Sequence, residues 1–108
     1  MATRSRIGIE NQDGTISSIY CHWDGSPDHN GKILKEHYSD REKLQELIDL
    51  GDISSLEENT ATTVAYHRDR GEKLNKARID LNLKHFSNSD YEEWGYVFTL
   101  NNNWTIFS

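Results

Sequence analysis

Asn11-Gln12-Asp13-Gly14, set between two runs of strand-forming residues, constrains this chain more than any other stretch. Asp-Gly marks a tight hairpin because the turn needs positive φ, which glycine adopts without steric cost. Two registers are open. A two-residue Asp13-Gly14 turn pairs Gln12 with Thr15 and Ile7 with Tyr20. A three-residue loop with Gly14 as a bulge pairs Asn11 with Thr15 and Ile7 with Ile19. The second puts Ile7, Ile9, Ile19, Cys21 and Trp23 on one face. A one-residue slip scatters that apolar set, so burial selects the second register. The other face then carries Gly8, Ser18, Tyr20 and His22, and Gly8 leaves room for something to lie against the sheet.

The rest of the chain is expected to complete a single domain over residues 1–108, long enough for a modest core without staples. The sequence is 34% apolar and 28% charged, with a net charge of −6. That balance argues against direct nucleic-acid binding, which calls for a basic stripe. It leaves open an acidic surface that docks on a basic partner. No apolar run is long enough to span a bilayer, and residues 1–9 lack the apolar segment of a signal peptide. The lone cysteine, Cys21, excludes an internal disulfide and fits a reducing cytoplasm.

Taken in order, Met1 to Arg4 is expected to be a frayed arm ahead of the hairpin. Ser26-Pro27-Asp28 predicts a helix start with Ser26 as N-cap, running to about Tyr38. Ser39-Asp40-Arg41-Glu42 predicts a second helix through a capping box, with Leu44, Leu47 and Ile48 on its inner face and Gly51 as its stop. Asp52 to Leu56 is expected to be a turn that tucks Ile53 and Leu56 under the helices. Thr62 to Arg68 alternates and predicts a third strand, with Val64 and Tyr66 toward the core and Thr63, Ala65 and His67 away from it. Arg68 to Glu72 is expected to be a charged turn. Lys73 to Lys84 fits neither the helical nor the strand period. Ser87 to Asp90 precedes a short acidic helical turn through Glu93. Trp94–Leu100 and Trp104–Phe107, joined by three asparagines, predict a second hairpin.

Several groups carry possible chemistry. Cys21, His22 and Asp24 could begin a metal site, completed by His29, His37 or His67. However, Cys21 and His22 point to opposite faces of a strand, and the spacing is no known zinc pair. Cys21 with His37 or His67 could act as nucleophile and base, but a core-facing cysteine is better suited to an inert thiol. The one cationic knot, His67-Arg68-Asp69-Arg70-Gly71, could fork onto a phosphate, with Tyr20 and Trp23 as stacking surfaces. Otherwise it is a solvated element end in which Asp69 neutralises its neighbours. Tyr91, Trp94, Phe98 and Trp104 are either core residues or partner anchors.

The hairpin block ending in Tyr20-Cys21-His22-Trp23-Asp24-Gly25 resembles a family of small proteins of tailed bacteriophages and prophages. Supporting blocks are Ser5 to Glu10, Leu50 to Leu56, Ala65 to Glu72 and Trp94 to Phe98, in order along most of the chain. The resemblance is least over Lys73–Asn88, and it brings no catalytic motif. It implies a phage accessory product in the cytoplasm of a bacterial host. Small acidic proteins in that setting are often inhibitors of host enzymes or host defence, anti-CRISPR proteins among them.

The expected fold is α+β: N- and C-terminal hairpins and a middle strand forming an antiparallel sheet, packed against two short helices. The leading expectation for function is a non-enzymatic phage protein that binds and inhibits a host protein, such as a defence nuclease complex. It would use the helix acids Asp40, Glu42 and Glu46. The alternative is a module that sequesters a nucleotide signal with Tyr20, His22, Trp23, Arg68 and Arg70. A metal- or cysteine-dependent enzyme is the third. No cofactor, metal or membrane partner is expected.

Overall fold

The computed structural model describes residues 2–108. Strands are β1 (Ser5–Glu10), β2 (Ile16–Cys21), β3 (Ile53–Ser55), β4 (Val64–Ala65), β5 (Arg78–Asp80), β6 (Trp94–Phe98) and β7 (Trp104–Phe107). Helices are α1 (Lys32–His37), α2 (Arg41–Asp49), α3 (Tyr66–Arg70) and α4 (Leu83–Ser87), with a wide π-type turn over Pro27–Gly31 leading into α1. The fold is α+β, as expected. The purely antiparallel sheet is corrected to a mixed one, ordered β4-β3-β2-β1-β6-β7, with β5 also paired to β2. β1 runs parallel to β6, and β2 runs parallel to β3. Parallel neighbours need a long crossover. Between β2 and β3 it is supplied by α1 and α2.

The first hairpin adopts the wide register. Ile7 opposes Ile19, and Asn11 N donates to Thr15 O at 2.7 Å, with Gly14 at φ +87°. One face of the sheet buries Ile7, Ile9, Ile19, Cys21, Tyr96 and Phe98 against Leu34, Tyr38, Leu44, Leu47 and Ile48 of the helical layer. Trp23 does not join them. It lies beyond the end of β2 and is 42% exposed.

The opposite face is also covered. Ile16, Val97 and the fully buried Phe86 form a second apolar cluster with Leu83, Tyr91 and Phe107. Gly95 makes that layer possible, since a Cβ there would stand 3.0 Å from both Phe86 and Tyr91. The space over Gly8 is already filled, because a Cβ there would stand 3.0 Å from Ile16 Cγ2.

Local departures have local causes. The helix expected from Ser26 to Tyr38 divides into the π turn and α1, and Ser26 makes no side-chain cap. The cap of α2 is Asp40, whose carboxylate accepts from Glu42 N, while Ser39 Oγ donates back to Lys35 O. Gly51 ends α2 at φ +77°. The expected turn after it is the strand β3, and Ile53 and Leu56 are buried as expected. The third strand lasts two residues. Ala65 and Thr63, not Val64 and Tyr66, face inward, and α3 replaces the charged turn. The cause is visible at Asp69, whose carboxylate accepts from Ala65 N at 2.8 Å and caps the helix from within. The acidic helical turn expected before Trp94 is not helical: Glu92 and Glu93 form a turn, and the nearest helix, α4, capped by Asn82 and free of acidic residues, lies upstream of it. Residue 1 lies outside the described residues. The remainder of the expected frayed arm is tied down: Arg4 N donates to Glu93 Oε2 at 2.7 Å, and Thr3 O accepts from Gly25 N.

Candidate functional site

The end of β2 carries its side chains outward in alternation. Tyr20 and His22 share one side, and the Tyr20 hydroxyl lies 2.6 Å from His22 Nδ1. Trp23 meets the His22 ring edge-on at 4.8 Å. Asp52, just past the stop of α2, accepts from Tyr20 N at 2.9 Å and so joins the end of β2 to the start of β3. Beside this junction is an open cavity of about 290 Å³ lined by Tyr20, Asp52, Tyr66, Glu72, Lys73 and Asn75. Tyr66, the first residue of α3, lines it. Arg70 lies over the Tyr66 ring at 5.2 Å and donates to Ser54 Oγ at 3.3 Å.

Of the five residues expected to hold a ligand, the structure groups Tyr20, His22 and Trp23, and brings Arg70 alongside through Tyr66. Arg68 is turned away. It donates to Thr63 O at 2.6 Å and pairs with Asp69 at 2.9 Å. The hydrogen bond to Asp69 raises the Arg68 pKa, and the same bond lowers that of Asp69. Asp52, Tyr66, Glu72, Lys73 and Asn75 were not anticipated. They come from three separate segments without a shared spacing. Two carboxylates against one lysine give the lining no anionic preference of its own.

Asp40, the N-cap of α2, and Glu42 and Glu46 within it are all exposed. Asp40 spends one oxygen on the cap. Glu42 and Glu46 lie one turn apart, and neither has an ion-pair partner among the described residues. Asp49 extends the row and accepts from Gln45 Nε2 at 2.9 Å.

The metal and cysteine constellations are not assembled. Cys21 is fully buried on the helical side. Its sulfur accepts from Asn30 Nδ2 at 3.3 Å. The candidate histidines are engaged apart: His29 with Asn30, His37 beside Glu36 and Glu58, His67 with the Glu72 carbonyl. Among the described residues no three His, Cys, Asp or Glu side chains could hold one metal ion. The late aromatics divide between the two cores. Phe98 and Trp104 pair on the helical face, where Trp94 also packs, and Tyr91 stacks on Phe86 on the other.

Burial pushes the Cys21 thiol from 9.0 up to about 11. A folded-state pKa raised in this way gives stability that is present below pH 9 and lost as pH climbs toward 11. At ~1.4 kcal/mol per pH unit the loss is on the order of 2–3 kcal/mol. Urea unfolding of wild type should therefore show a fall between pH 9 and 11 that is markedly shallower in Cys21→Ala. Equal slopes would contradict the buried thiol. Burial likewise raises the Tyr38 and Tyr96 phenols from 10.0, whose hydroxyls donate to Glu57 O and Gly25 O, so from pH 10 they add to the decline in wild type and variant alike and carry it above that window.

No protein-family model, curated protein or solved structure matches this chain. Among the described residues no helix is long and apolar enough to cross a membrane.

Proposed function

We propose that this chain is a non-catalytic phage accessory protein that binds a host protein in the bacterial cytoplasm and blocks it. The target class is a host defence nuclease complex, in the manner of an anti-CRISPR protein. One observation carries the reading. Glu42 and Glu46 stand unpaired on the outer face of a helix whose inner face is anchored by fully or almost fully buried Leu44, Leu47 and Ile48. Carboxylates on a rigid support complement a basic groove at low ordering cost, and charge complementarity speeds encounter as well as tightening it. The net charge of −6 adds to the same attraction.

The second reading, a ligand-sequestering module, is favoured by the cavity beside Tyr20 and by the Arg70–Tyr66 stack. Its residues are Tyr20, His22, Trp23 and Arg70, while Arg68 is already committed to Asp69.

Native mass spectrometry of tagged protein from its bacterial host separates the two. Under the inhibitor reading, wild type carries a host protein at a fixed ratio. The double variant Glu42→Lys/Glu46→Lys loses it, with affinity falling at least a hundredfold. Asp40 is left intact because replacing a cap costs ~1 kcal/mol of helix stability. A complex unaffected by the double variant refutes the α2 surface. A small added mass, released on denaturation and absent from Arg70→Ala, supports the ligand reading instead.

A further inference from the structure

β4 and β7 end the main sheet, and β5 is a third strand with an open edge. It hydrogen-bonds to β2 on one side only, through Ile16↔Asp80, Ser17↔Ile79 and Ser18↔Arg78. Ile79 at its centre, 60% exposed, and Leu81 just past its end, 70% exposed, are the most exposed large hydrophobics in the described chain. An uncovered strand edge with apolar side chains is a template for another strand. With one flanking residue at each end, its sequence Ala77-Arg78-Ile79-Asp80-Leu81 also has a property that narrows the partner. In an antiparallel pair, residues directly opposite share a face of the sheet. Two copies of β5 can therefore match faces only about a two-fold axis through a residue. An axis through Asp80 sets carboxylate against carboxylate, and one through Arg78 sets guanidinium against guanidinium. An axis through Ile79 sets Ile79 against Ile79, Arg78 against Asp80 in both directions, and Ala77 against Leu81 in both directions. One face of that ladder is apolar throughout, and the other alternates in charge and sums to zero.

We propose that β5 pairs antiparallel with β5 of a second copy of this chain, about a two-fold axis at Ile79, joining two sheets into one. The charged face is neutralised within each copy: Asp80 is almost fully buried, with its oxygens engaged by Arg78 Nε at 3.1 Å and His85 Nδ1 at 2.9 Å, and Arg78 is further fixed by Ser89 Oγ and Asp90 O, so that face brings no net charge to the seam. The paired segment is short, so the dimer belongs with transient, concentration-dependent assemblies. This inference is independent of the α2 surface and of the cavity.

Sedimentation equilibrium tests it. Wild type should reach twice the 12.5 kDa chain mass as concentration rises. Ile79→Lys, which places lysine against lysine at the axis, should weaken association at least tenfold while its circular dichroism stays that of wild type. Leu81→Lys should also weaken it, because a two-fold axis counts every change twice. Should a lysine variant fail to fold, Ile79→Cys provides the second test. Mild oxidation should link its copies through residue 79 in high yield, while Leu100→Cys, at the 40% exposed Leu100, stays unlinked. Buried Cys21 does not compete. A wild type that remains at 12.5 kDa up to millimolar concentration overturns the proposal. So does a dimer indifferent to Ile79→Lys, or equal cross-linking at positions 79 and 100.

Discussion

Gly51→Ala should be among the most damaging single changes, at about 2–4 kcal/mol. Two costs coincide. The residue sits at φ +77°, where a Cβ is strained. The added Cβ would also stand 2.5 Å from Asn75 O and 2.9 Å from Leu74 Cδ1. A carbonyl oxygen cannot yield without moving its segment, and that segment, through Glu72, Lys73 and Asn75, forms a wall of the cavity beside Tyr20. Gly71→Ala isolates the first cost, because Gly71 has φ +66° but open space around its missing Cβ. It should lose only ~1 kcal/mol. Urea unfolding of both variants should show Gly51→Ala clearly worse. Limited proteolysis should cut within 72–77 more readily in that variant alone. Equal losses would mean that the segment does not pack against the end of α2.

Phe86→Ala should cost about 3–5 kcal/mol, the range for emptying a buried phenylalanine site. The ring is fully buried, stacks on Tyr91 at 5.8 Å and meets Phe107 at 5.3 Å. The cavity could not be refilled from below, where Gly95 offers no side chain. Thermal unfolding should show the drop, and amide exchange should show β6 and β7 losing protection with α4. A loss below 1 kcal/mol would make the second face of the sheet an ordinary solvated surface.

Phe86 also illustrates why the sequence was legible in some places and not in others. The first hairpin, its register, α2, the stop at Gly51 and the C-terminal hairpin could be read because each repeats a period or carries a turn residue with one physical use. β3, β4 and β5 have only two or three residues, too few for alternation to register, and it is their pairing with β2 and with each other that makes them strands. α3 is decided by one hydrogen bond, from Ala65 N to Asp69. Leu83 sits in a stretch with neither period and Phe86 just after it, so the second apolar layer, and with it the covering of both faces, was not visible. At the candidate site, the Tyr20–His22 contact followed from strand alternation. Tyr66, Asp52 and Asn75 meet Tyr20 only through tertiary packing, and no spacing announces them. Trp23 was misplaced because β2 stops at Cys21, and the alternation that assigned its face stops there too.

The parallel pairing of β1 with β6 also bears on how the protein is made. β1 is central in the finished sheet, yet its second neighbour lies more than eighty residues downstream. On a ribosome adding ~5–20 residues per second, roughly 4–17 s separate the synthesis of Glu10 from that of Trp94. During that interval the nascent hairpin has one strand edge unsatisfied and Ile16 uncovered. Closing the sheet late also requires the ends of a long loop to meet, which slows folding more than it weakens the product. Newborn chains are therefore most open to chaperones, proteases and one another just before the last hairpin emerges. A truncation that removes β6 and β7 leaves that nascent intermediate as its end state.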